Sequence, residues 1–135
     1  MTRGLRNKNP GNIRRSARPP FAGEVVPSGD ASFRQFKTME YGYAAMFTLL
    51  ACYLRTGRNT VDRIIRSWAP PSENNTLSYV GKVERLSGVP RYQALTAGDG
   101  ERLVRIVAAM AQVENGTAAD MAQVKAGFVL QDDIR

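Results

Sequence analysis

The sequence has 135 residues, with 19 Lys and Arg against 12 Asp and Glu, a net charge of +7, one cysteine and no histidine. That length fits one domain, residues 1–135, able to bury a core of its own, and 43% hydrophobic with 23% charged residues is an ordinary globular balance. Without histidine there is no Ser–His–Asp or Cys–His nucleophilic system and no His-ligated zinc, and the lone Cys52 excludes an intrachain disulfide and a thiolate zinc cage.

Any catalysis must therefore rest on carboxylates, tyrosine, lysine or amides, and neither metal nor cofactor is expected. No apolar run approaches the ~18 residues that a membrane span needs. The first residues, Met1-Thr2-Arg3-Gly4-Leu5-Arg6, lack the apolar stretch of a secretory signal. A protein acting outside the cytoplasm would then be carried there by another route.

The charge is uneven. Arg3, Arg6, Lys8, Arg14, Arg15 and Arg18 fall within residues 1–18, which hold no acid. Thirteen basic residues remain against all 12 acids, so the rest of the chain is near +1. Such a segment attracts polyanions: nucleic acid, anionic lipid, or a bacterial wall with its phosphates and peptide carboxylates. It is not a plain basic arm, because Asn9-Pro10-Gly11-Asn12 carries turn chemistry.

In chain order, residues 1–37 read as loops and short strands. Extended candidates are 12–16, 21–26 and 32–37, separated by Pro19-Pro20 and by Pro27-Ser28-Gly29-Asp30. They suggest a small β-lobe of two or three strands. Thr38 caps a predicted helix to Arg55, apolar on more than one face and hence central and buried. Asn59 or Thr60 caps a helix over Val61–Trp68. Residues 76–86 place Leu77, Val80, Val83 and Leu86 three apart, with Gly88 as the stop. Asp99 opens a helix ended by Asn115-Gly116, and Thr117 opens a last one to about Leu130. The predicted class is α+β: a β-lobe over 1–37, then about five helices over 38–135.

The run Trp68-Ala69-Pro70-Pro71-Ser72-Glu73-Asn74-Asn75-Thr76 holds the one tryptophan beside an acid, amides and hydroxyls. Sugar faces stack on rings while their hydroxyls and N-acetyl groups take directed hydrogen bonds, so a glycan site suits this mixture. From composition alone a helix–loop–helix corner is the simpler account: Trp68 closes the core, Pro70 and Pro71 stop one helix, and Asn75 or Thr76 caps the next.

Arg6-Asn7-Lys8-Asn9-Pro10-Gly11-Asn12-Ile13-Arg14 resembles the opening of a family of phage and prophage proteins of lysozyme-like fold, described as virion components or wall hydrolases. The resemblance continues through Tyr41-Gly42-Tyr43-Ala44-Ala45, Ile64-Ile65-Arg66-Ser67-Trp68, the run to Thr76, and Tyr79-Val80, covering roughly residues 4–90. More distantly the chain is similar to glucosaminidases and lytic transglycosylases of lysozyme-like fold. There the catalytic glutamate ends a helix that precedes the Asn-rich turn. Here Val107-Ala108-Ala109-Met110-Ala111-Gln112-Val113-Glu114-Asn115-Gly116 has that helix's shape at the other end of the chain. The resemblance thus implies a permuted fold that sets Glu114 beside Asn9 and Asn12.

What the resemblance implies is cleavage of the peptidoglycan glycan strand, between N-acetylglucosamine and N-acetylmuramic acid, by glutamate acid chemistry. Candidate catalytic carboxylates are Glu114, Glu24 and Glu73. Glu24 also reads as an exposed strand residue, Glu73 as a substrate acceptor or a helix-start acid, and Glu114 as a solvated acid at a helix end. Candidate substrate-binding residues are Asn9, Asn12, Arg14, Trp68, Asn74, Asn75 and Tyr79. Peptidoglycan is the expected partner, together with other virion proteins, and a phage virion or the host cytoplasm the expected location. A non-catalytic virion or wall-binding protein is the rival reading. A nucleic-acid module is the third, weakened because residues 1–20 lack interleaved aromatics.

Overall fold

The computed structural model describes residues 1–71 and 75–134, and among them it holds six helices and no strand. These are α1 (Arg3–Arg6), α2 (Met39–Arg55), α3 (Val61–Trp68), α4 (Thr76–Ser87), α5 (Gly100–Asn115) and α6 (Met121–Leu130). The α+β class, the lysozyme-like N-terminal β-lobe and its permuted arrangement are therefore overturned: the described chain is all-helical. The three extended candidates leave only two isolated bridges, Arg14 with Phe33 and Glu24 with Phe36.

The reason lies in what holds residues 7–37. Backbone pairing is scattered: Arg34 N donates to Ile13 O, Arg15 N to Ser32 O, Val25 N to Gln35 O and Phe36 N to Asn7 O. Pro19, Pro20 and Pro27 lack the donor a ladder needs. Side chains take over. The buried Arg34 guanidinium donates to Arg14 O, Ser16 Oγ, Arg18 O and Glu24 Oε1. Asp30 accepts a fork from Arg3 (2.6 and 2.7 Å) and the backbone N–H groups of Ser32 and Phe33. The three candidates are extended chain with Phe21 and Phe36 buried, not a sheet.

The helix starts follow local chemistry. Thr38 Oγ1 accepts from Tyr41 N, Thr60 Oγ1 from Arg63 N, and Asn75 Oδ1 from Ser78 N, each cap worth ~1 kcal/mol. Gly88 and Gly116 end α4 and α5 in the left-handed conformation. The last helix starts later than its predicted opening at Thr117, because Asp120 caps it by accepting from Ala122 N and Gln123 N. In α4 the four apolar residues three apart divide between core and surface. Val80 and Val83 are fully buried, but Leu77 and Leu86 are exposed. A spacing of three drifts by about 60° per step on a 3.6-residue helix, so the run winds off the core face.

One hydrophobic core joins α2 to α6 with the loops before them. Met46, Phe47 and Leu50 of α2 meet Ile64 and Ile65 of α3, Val80 and Val83 of α4 and Ile106 and Met110 of α5, all fully buried. Each such side chain contributes ~1.5–3 kcal/mol by leaving water. α2 also packs closely on α6. Against the N-terminal turn, Gly42 leaves no room for a side chain: a Cβ there would run into the Lys8 carbonyl and come within 2.6 Å of Pro10 Cδ. Gly42→Ala is expected to cost ~1–3 kcal/mol by forcing the turn off α2, read as a lower urea midpoint with unchanged slope. An unchanged midpoint would mean the turn yields freely.

Candidate functional site

The site begins with the turn at residues 7–13. Asn9 is completely buried, and its side chain closes the turn: Oδ1 accepts from Ile13 N, while Nδ2 donates to Ile13 O and Arg34 O. Asn12 sits at φ 51°, a left-handed conformation that asparagine tolerates better than most residues. This geometry turns its amide toward α5. Asn12 Nδ2 donates to Glu114 Oε1 at 2.8 Å.

Glu114 lies in the last turn of α5, and its second oxygen is also engaged. Tyr79 of α4 donates its hydroxyl to Glu114 Oε2 at 2.9 Å and lies 3.4 Å from Met110 O. The neighbouring Asn115 fastens α5 to the turn: its Nδ2 donates to Pro10 O and Ala111 O, and its Oδ1 accepts from Thr2 Oγ1. One carboxylate thus joins the turn, α4 and α5.

Burial, with the Glu114 charge and hydrogen bond, raises the Tyr79 hydroxyl well above its ordinary value of 10.0. It remains a neutral phenol in ordinary buffers. A raised folded-state pKa adds stability that is complete below the unfolded value and lost as pH rises through the folded one. Tyr79→Phe is expected to cost ~1 kcal/mol at neutral pH through the lost hydrogen bond. The gap between parent and variant should shrink above about pH 10. Paired denaturant titrations at neutral and alkaline pH test this, and a gap constant with pH would rule it out.

Beside the turn runs a groove of about 290 Å³, lined by Asn12, Ile13, Arg14, Leu49, Tyr53, Ser67, Trp68 and Pro70. Trp68 donates its indole N–H to Gly11 O at 3.1 Å and meets Tyr53 edge-on, with ring centroids 6.3 Å apart. Gly11 permits this approach, since a Cβ there would stand 2.7 Å from Trp68 Cζ2. Asn12 belongs to both features, lining the groove and holding Glu114. Glu114 itself is not in the groove lining.

The structure brings together Asn12, Arg14 and Trp68 at the groove and Asn12, Tyr79 and Glu114 at the carboxylate. It sets Asn9 in the interior with its amide spent on the turn. Asn75 is exposed and caps α4. Glu24 pairs with Arg34 at 2.6 Å, both side chains at least nine-tenths buried, and accepts from Phe21 N. Its partners are distinct from Asn12 and Tyr79, which hold Glu114. Glu73 and Asn74 lie outside the described residues. Among the described residues no group of three or more His, Cys, Asp or Glu converges to hold a metal ion. Tyr53 and Asn115 escaped the sequence reading. Leu49 and Tyr53, four apart and so on one helix face, were the available signal for a second aromatic wall.

Fold and site define a small helical protein with a single carboxylate, held by an amide and a phenol, next to an aromatic groove. The chain belongs to the bacteriophage protein family of Protein P5 of Pseudoalteromonas phage PM2, to which it is 35% identical over 130 residues, taking in 93% of this chain and 79% of that protein. No family model matches the sequence. Among the described residues no helix is long and apolar enough to cross a membrane.

Proposed function

We propose that this protein cleaves the glycan strand of peptidoglycan, with Glu114 protonating the departing oxygen and the Trp68 groove holding the sugars. The observation that carries the reading is the Glu114 carboxylate held between Asn12 and Tyr79, with Asn12 also lining the groove. Trp68 and Tyr53 supply ring surface for sugar faces, and Asn12, Arg14 and Ser67 supply polar groups at its edges.

The Tyr79 hydroxyl suits a carboxyl group that must change protonation state. Beside an ionised Glu114 it donates to Oε2. Beside a protonated one it can turn its hydrogen toward Met110 O, at 3.4 Å, and accept from the acid. With no second carboxylate at this cluster among the described residues, the substrate's own 6-hydroxyl or N-acetyl group is the fitting nucleophile. Turbidity loss or zymography on purified peptidoglycan tests the activity, and analysis of the released ends distinguishes hydrolysis from intramolecular attack.

One observation favours a second reading, a non-catalytic virion or wall-binding protein. Both Glu114 oxygens already have protein partners that pin α4 and the turn to α5, which is what a structural clamp requires. Sedimentation of the protein with purified wall in the absence of any clearing would decide for this reading.

A further inference from the structure

Residues 1–37 carry eight basic side chains, Arg3, Arg6, Lys8, Arg14, Arg15, Arg18, Arg34 and Lys37, and two acids, Glu24 and Asp30. Both acids are taken: Glu24 by the buried Arg34, Asp30 by the Arg3 fork. Nearly all of the protein's net charge therefore resides on this one unit. It is also organised. Along the exposed run 14–18 lies a second cavity of about 280 Å³, whose lining takes in Arg15, Arg18, Pro20, Val26 and Pro27 together with the paired Glu24 and Arg34. Arg15 is steadied through Nη1 on Asp30 O and Ala31 O. Arg18 is steadied through Nη1 on Pro19 O, with its guanidinium 3.7 Å from the Phe21 ring centroid. Each arginine thus keeps other N–H donors for a ligand, since a guanidinium carries five. Val26, in the same lining, is 64% exposed and offers apolar surface for small alkyl groups.

Resting on the glycan reading above, we propose that this cavity is a subsite for the acidic peptide branch of the wall strand: carboxylates pair with Arg15 and Arg18, and alanine-sized side chains lie on Val26 and the prolines. Arg14 lines the groove while Arg15 and Arg18 line the cavity, so the run 14–18 contributes to both. A nucleic acid fits less well. The Phe21 and Phe33 rings that would stack on bases are covered by Arg18 and by Arg3 and Arg14, and the helix in this unit, α1, spans only Arg3–Arg6.

Trp68, the single tryptophan, reports on the groove without labelling. Its fluorescence should be titrated with soluble peptide-bearing strands and with strands stripped of peptides by an amidase, for the parent and for Arg15→Gln/Arg18→Gln. Two exposed charge-assisted pairs predict about tenfold tighter binding of the peptide-bearing strand by the parent. The double variant should bind both strands at the parent's stripped-strand affinity, and added salt should erase the parent's preference. Equal binding of both strands by the parent, or a preference that survives in the variant, overturns the subsite while leaving the glycan reading intact. No response to either strand overturns both. Duplex DNA that competes as well as the peptide-bearing strand overturns the subsite in favour of a phosphate-binding surface.

Discussion

Glu114→Gln is expected to lower glycan cleavage by ~10²–10⁴-fold, the usual contribution of a positioned proton donor. The fold should survive. The amide keeps an oxygen to accept from Asn12 Nδ2, and its NH₂ faces a Tyr79 hydroxyl able to accept while donating toward Met110 O. Stability should change by no more than ~1 kcal/mol, so lost activity can be read as lost chemistry. Glu24→Gln and Glu73→Gln are the comparisons. A Glu114→Gln protein that clears peptidoglycan at the parent's rate removes Glu114 as the acid. If Glu73→Gln alone is inactive, the role passes to the 68–76 run.

Arg34→Met should have the largest effect on stability, ~3–5 kcal/mol, because it strands a buried carboxylate. Arg34 and Glu24 side chains are 4% and 8% exposed, and the same guanidinium satisfies Ser16 Oγ and the Arg14 and Arg18 carbonyls. Such a loss is a large part of the 5–15 kcal/mol typical of a whole domain. The companion measurement is a double-mutant cycle. Arg34→Met with Glu24→Met should cost clearly less than the two single changes added together, since the second removes the stranded charge. Strict additivity in urea midpoints would mean that the pair is not a coupled unit. The same result bears on function, because Asn9 Nδ2 ties the turn that presents Asn12 to the Arg34 carbonyl.

Much of the helical body was legible because its signals are local. Thr38 and Thr60 cap where caps were expected, and Gly88 and Gly116 stop their helices by adopting the left-handed conformation. The stretch from Gly42 to Ala51, apolar on several faces, is the buried helix its pattern suggests. The N-terminal unit was misread for a physical reason. Short segments bounded by proline and glycine breaks read as strands, but that pattern cannot tell a ladder from extended chain held by side chains. Here Asn9, Asp30 and Arg34 make the bonds that strands would have made. The exposure of Leu77 and Leu86 was not legible, because spacing does not say which arc of a helix meets a neighbour.

The sequence by itself determined the chemistry available to this protein: no histidine, one cysteine, one tryptophan, and a positive charge concentrated before residue 19. It also determined where most helices begin and end, since a cap or a left-handed glycine acts within a few residues. Only the tertiary structure decided which carboxylate meets which partner. Glu114 and Asn12 are 102 residues apart in the chain, and Glu114 and Tyr79 are 35 apart. Nothing local encodes those distances. They arise because α4 and α5 bury Val80, Val83, Ile106 and Met110 in one core, while Asn115 draws the end of α5 onto the N-terminal turn. The packing of apolar faces brought the polar groups together, and hydrogen bonds then held them in place.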